Sequence, residues 1–116
     1  MVVDDDEEVR STLAETLADL GYRVVEAGNG RDALAMLNLD EAIALAIADM
    51  RMPGMTGLEF AAIAQKRHGK LKVLLISGYF MPQPLGLRLL LKPFRIDDLA
   101  SAVRAELACA CPPAPG

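Results

Sequence analysis

The chain has 116 residues, 53% of them hydrophobic and 24% charged, and carries a net charge of −4 at pH 7. That length suits one domain with one core needing no disulfide or metal staple, and the composition excludes a disordered chain. The acidic balance argues against direct nucleic-acid binding, and no apolar run reaches the roughly 20 residues that span a bilayer.

Met1-Val2-Val3 reads as a first strand, short enough to suggest that the natural domain begins a residue or two upstream. It has no signal-peptide character, so a soluble cytoplasmic protein is expected. From Glu7 to Leu20 the apolar residues Val9, Leu13, Leu17 and Leu20 fall at helical spacing, with Ala14 and Ala18 beside them and Gly21 as the stop. Tyr22 to Ala27 is a second strand, Gly28-Asn29-Gly30 a turn, and Arg31 to Leu39 a helix with Ala33, Leu34 and Leu37 inward.

Ala44-Leu45-Ala46-Ile47-Ala48 is an apolar run that stops on Asp49, followed by Met50-Arg51-Met52-Pro53-Gly54, which cannot continue a regular strand. Such a run reads as a buried parallel strand with Asp49 at its carboxyl end. A helix follows from Gly57 to Arg67, with Leu58, Ala61, Ala62 and Ala64 on its apolar side. Val73 to Ile76 is a fourth strand ending on Ser77-Gly78, and Arg88 to Leu91 a fifth ending on Lys92-Pro93-Phe94. The last helix runs from Asp97 to Ala108 with Leu99, Val103 and Leu107 facing in.

Alternating strands and helices imply a parallel sheet covered on both faces, a three-layer α/β sandwich. One interval breaks the rhythm. Residues 78–87 hold two prolines and two glycines, too short and broken for a full crossover helix, so an irregular loop is expected there. Cys109 and Cys111 read as incidental tail residues of a reducing compartment, and 109–116 as a disordered tail or the start of a linker after a domain spanning 1–108.

In a parallel sheet the carboxyl ends of the strands share one edge, which is where such sheets bind ligands. Asp4-Asp5, Asp49, Ser77 and Lys92 therefore converge there. Neighbouring carboxylates repel one another and call for a cation, and hard oxygen donors suit Mg²⁺. Lys92 can neutralise one further negative group and Ser77 can donate a hydrogen bond to it. This set fits an aspartate that becomes phosphorylated, with metal and lysine balancing the phosphoryl charge.

The four ordered pieces, Val-Val-Asp4-Asp5-Asp6-Glu7-Glu8-Val-Arg, Asp49-Met-Arg-Met-Pro53-Gly-Met-Thr-Gly57, Ser77-Gly and Lys92-Pro93-Phe94, resemble the receiver domain of bacterial two-component response regulators, the chemotaxis-regulator-like fold. The resemblance runs from residue 2 to 108 and implies a five-stranded sheet in the flavodoxin-like order 2-1-3-4-5. It implies Asp49 as phosphoacceptor and Mg²⁺ ligand, Asp5 as a direct Mg²⁺ ligand, and Asp4 as a ligand through water. The Arg51 backbone carbonyl would complete the protein ligands, Ser77 would be the switch hydroxyl, and Lys92, set by a cis Lys92–Pro93 peptide, the charge-balancing lysine. The implied partner is a histidine kinase or phosphotransfer protein, with a downstream protein beyond it and the domain itself a monomer or weak dimer.

The chain departs from the family pattern twice. Leu89 stands where many receivers carry a switching aromatic, and the loop after Ser77 resembles a subgroup whose fourth helix is reduced or absent. Members of that subgroup include stand-alone regulators and domains attached to hybrid histidine kinases, so a piece of a hybrid kinase is the alternative context. A Mg²⁺-dependent aspartyl-phosphate phosphatase is a weaker alternative, because Arg51 stands where such enzymes place a general acid. The domain is accordingly read as a switch and not an enzyme, apart from its own phosphorylation and dephosphorylation.

Plainer readings stand beside these. Taken alone, Asp4 to Glu8 are acids suited to a helix N-terminus, Ser77 a turn serine, and Met50, Met52 and Met55 loop and core packing. His68, the only histidine, reads as a solvated helix cap, and Tyr79 and Phe80 as partner contacts or a lid over the site.

Overall fold

A computed structural model describes residues 1–40, 42–52, 54–78, 88–92 and 94–108. In chain order the elements are β1 (Val2–Val3), α1 (Glu7–Asp19), β2 (Glu26–Ala27), α2 (Gly30–Leu39), β3 (Leu45–Asp49), α3 (Gly57–Arg67), β4 (Lys72–Ser77), β5 (Arg88–Leu91) and α4 (Ile96–Ala108). The strands form one parallel sheet in the order β2-β1-β3-β4-β5, as expected. The expectation of a short or missing helix between β4 and β5 falls on 79–87, outside the described residues.

Period-two alternation divides the strand residues between two cores. Val3, Ala46, Ala48, Val73 and Leu75 join Leu34 and Leu37 of α2 and Phe60, Ala61 and Ala64 of α3 in one. Val2, Leu45, Ile47, Leu74 and Ile76 join Leu13 and Leu17 of α1 and Leu99 and Val103 of α4 in the other. Both faces of the sheet are therefore buried, which is why β3 and β4 read as continuous apolar runs. No described helix is long and apolar enough to cross a membrane.

Local chemistry sets the helix ends. Asp6 caps α1 by accepting from the Glu8 and Val9 amides, and Asn29 caps α2 by accepting from Asp32. Thr56 and Glu59 form a reciprocal capping box on α3. Leu20 ends α1, followed by Gly21 at φ +98°, a backbone state that glycine adopts without strain.

Three expectations need correction. The second strand is two residues long, not Tyr22 to Ala27, although the ladder reaches back through the Val2 N–H to Val25 O bond at 2.9 Å. On α3 the buried side chains are Phe60, Ala61 and Ala64, while Ala62 is exposed and Leu58 is 37% exposed. Phe60, at i+3 from Gly57, takes the inward stripe and rotates Leu58 off it. Leu20 and Ala18 also lie outside, because the α1 stripe runs through Leu13, Ala14 and Leu17.

Candidate functional site

Strand register brings the polar residues level. Val3 pairs with Ala48, Asp49 with Ile76, and Ser77 with Leu91, so Asp4 follows β1 beside Asp49, and Lys92 follows β5 beside Ser77. Backbone bonds carry this order past the strand ends: Asp4 N–H donates to Ala27 O at 3.2 Å, Met50 N–H to Ile76 O at 2.8 Å, and Lys92 N–H to Ser77 O at 2.8 Å.

Asp49 is held at both carboxylate oxygens. The Arg51 amide donates to Oδ1 at 3.0 Å and Lys92 Nζ reaches Oδ2 at 3.2 Å, an ion pair joining residues 43 apart in the chain. Met50 and Met52 are buried and Met55 packs against the same core, so the methionines after Asp49 anchor its loop. Gly57 lies against that loop from the other side. Its amide donates to Met50 O at 3.0 Å, and a β-carbon at Gly57 would collide with the Asp49 carbonyl.

Asp4 is 3% exposed and accepts from the Asp6 amide at 2.9 Å. Burial raises its pKa to about 6, with the charges of Asp49 and Asp5 pushing the same way and the Asp6 amide and Lys92 opposing them. Asp5 is exposed, and it lines an open cleft of about 310 Å³ with Met50, Arg51, Met52 and Thr56. Ser77 is buried at the end of β4.

The structure therefore brings together Asp4, Asp49 and Lys92, with Asp5 and Arg51 on the adjoining cleft and Ser77 at the neighbouring strand end. The cis Lys92–Pro93 peptide involves Pro93, and the Tyr79 and Phe80 roles fall on that loop; all three residues lie outside the described ones. His68 does cap α3, but it is half-buried and its Nε2 lies 3.2 Å from Asn38 Oδ1, so it joins α3 to α2.

Among the described residues no three His, Cys, Asp or Glu side chains are grouped so as to hold an ion by themselves. The donor set anticipated for Mg²⁺ differs from such a trio. It has two direct carboxylates, Asp5 and Asp49, one main-chain carbonyl, Arg51, and a third carboxylate, Asp4, acting through water. All are hard oxygen donors, as Mg²⁺ prefers. The charges of Asp49 and Asp5 bear on the buried Asp4 carboxyl with Lys92 opposing them, which leaves a local excess of negative charge, so the residues fit a divalent cation.

Sequence reasoning missed Arg10, Thr56 and Gly57 as site-building residues. Thr56 could have been found from the Thr-x-x-Glu capping signature ahead of an apolar helix. Arg10 stands in α1 with Nη1 donating to the Asp4 carbonyl at 2.9 Å, and no local pattern marks that contact.

With this geometry in view, the model of the response regulator receiver domain family matches residues 1–104. The chain belongs to that family. This receiver is 30% identical over 117 residues to the response regulator receiver protein CpdR of Brucella abortus, covering 95% of this chain and 97% of that one. The solved receiver domain of the hybrid histidine kinase CckA superposes with a TM-score of 0.80 at 36% identity, over 91% of this chain and 95% of that one. The response regulator TrrA of Thermotoga maritima, solved in complex with Mg²⁺ and BeF, gives a TM-score of 0.81 at 31% identity over 90% and 94% of the two chains. Against the longer transcriptional regulator CpxR of Escherichia coli K12, at 34% identity, the receiver covers 92% of its own length but 48% of that protein.

Proposed function

We propose that this receiver is switched by phosphorylation of Asp49. The observation that carries the reading is the Lys92 to Asp49 contact at 3.2 Å on the sheet edge where Asp4 is buried nearby. A half-exposed ion pair of this kind stabilises a fold by about 0–1 kcal/mol, so its significance lies in placing a cation beside a nucleophile. One Asp49 oxygen attacks the phosphorus of a phosphohistidine on a kinase or phosphotransfer protein. The new O–P bond forms as the P–N bond breaks, and the electron pair leaves with the imidazole nitrogen.

Lys92 meets the charge on the transferred group, and the buried Ser77 hydroxyl is the donor that follows it when the domain switches. Asp5, Asp49 and the Arg51 carbonyl would hold Mg²⁺, with Asp4 acting through water. The ion supplies neutralisation of phosphoryl charge. The likeness to TrrA, solved with Mg²⁺ and BeF, supports that assignment. We take residues 1–108 as the receiver, placed in the cytoplasm. The likeness to both CpdR and the CckA receiver supports a stand-alone regulator and a hybrid-kinase module alike.

Incubating the protein with Mg²⁺ and a small acyl phosphate donor should yield one phosphoryl group per chain, seen by intact-mass measurement. Chelation of the ion should suppress it. Equal labelling with and without chelator would remove the metal from the account.

A further inference from the structure

Arg10 of α1 spans two strands with one guanidinium. Nη1 donates to the main-chain carbonyl of Asp4 at 2.9 Å, and Nε donates to Glu26 Oε1 in β2 at 3.2 Å. The Asp4 carbonyl and the Asp5 amide belong to one rigid peptide plane. Fixing that oxygen fixes the plane from which Asp5 leaves the strand. Asp5 is exposed, so its direction depends on its backbone more than on packing. The Asp4 amide bond to Ala27 O holds the chain just before that plane, the Asp6 amide bond to the Asp4 carboxylate holds it just after, and Arg10 holds the plane's own carbonyl.

We propose that Arg10, steadied by Glu26, is a positioning residue that holds the Asp4–Asp5 peptide so that both carboxylates face a divalent cation. The inference rests on the cation site proposed above. The Arg10 fork makes two bonds in different directions. A lysine, with one ammonium on a flexible stem, cannot reproduce both.

The test is calorimetric titration of Mg²⁺ into the full chain, with a melting curve for each protein. The set is wild type, Asp5→Asn, Arg10→Lys, Arg10→Met and Glu26→Gln. Wild type should bind and Asp5→Asn should lose binding. Partners standing behind metal ligands alter affinity by about 10–100-fold, so Arg10→Lys and Arg10→Met should each weaken binding by about tenfold or more with little change in melting temperature. Glu26→Gln keeps the Oε1 acceptor and should bind nearly as wild type does.

If Arg10→Met fails to fold, Arg10→Lys decides. Folded Arg10→Lys protein that binds like wild type overturns the role given to Arg10 and leaves the cation site standing. Wild type that does not bind, or that binds no better than Asp5→Asn, overturns the cation site and this inference with it.

Discussion

At the scale of single residues, the site combines groups whose cost to the fold can be separated from their use. Asp4 is the clearest case. Its pKa is raised from 3.8 to about 6, chiefly by burial, so the folded state binds its proton more tightly than the unfolded state does. Without divalent cation, its contribution therefore turns unfavourable as pH rises from about 4 to about 6, and stays so above. Asp4→Asn should flatten this part of the stability profile and raise the melting temperature at pH 7 in chelator, read by circular dichroism. Gly57 permits the close approach of α3 to the Asp49 loop. Gly57→Ala sets a methyl against the Asp49 carbonyl, a clash with backbone that no rotamer relieves. It should destabilise by about 1–3 kcal/mol, seen as a lower urea midpoint at unchanged slope.

At the scale of elements, α3 shows what could and could not be read in advance. Its start at Gly57 and end at Arg67 were legible, because a small apolar helix follows a Pro-Gly turn and precedes Gly69. Its inward face was not, since two overlapping stripes, one through Leu58 and one through Phe60, both fit a 3.6-residue period. Packing against the small Ala46 and Ala48 side of β3 decides for Phe60. Phe60→Ala should therefore cost about 3–5 kcal/mol in chemical unfolding, while Leu58→Ala should cost far less. Loss of the capping box in Thr56→Ala should cost about 1 kcal/mol. β2 was over-extended because Tyr22 to Ala27 has strand-like composition, yet register against a two-residue β1 limits the pairing. A strand can only be as long as its neighbour allows.

At the scale of the whole molecule, alternation of strand and helix was enough to predict one parallel sheet, and one sheet was enough to bring four distant polar segments to a common edge. That is why Asp49, Lys92, Ser77 and the acidic pair were legible before any coordinates. Contacts that run from a helix to a strand-end carbonyl, such as Arg10 to Asp4, were not legible because they depend on helix placement and leave no periodic mark. Leu89 lies half-buried against the α2–α3 core, where a large aromatic would need a different fit. The central claim is that the edge exists to phosphorylate Asp49. The most direct measurement is to label with a small acyl phosphate and Mg²⁺, reduce the adduct with borohydride, and map the modified peptide by mass spectrometry. The account predicts modification at Asp49 alone and none in Asp49→Asn; an unmodified Asp49, or an adduct that persists in Asp49→Asn, would contradict it.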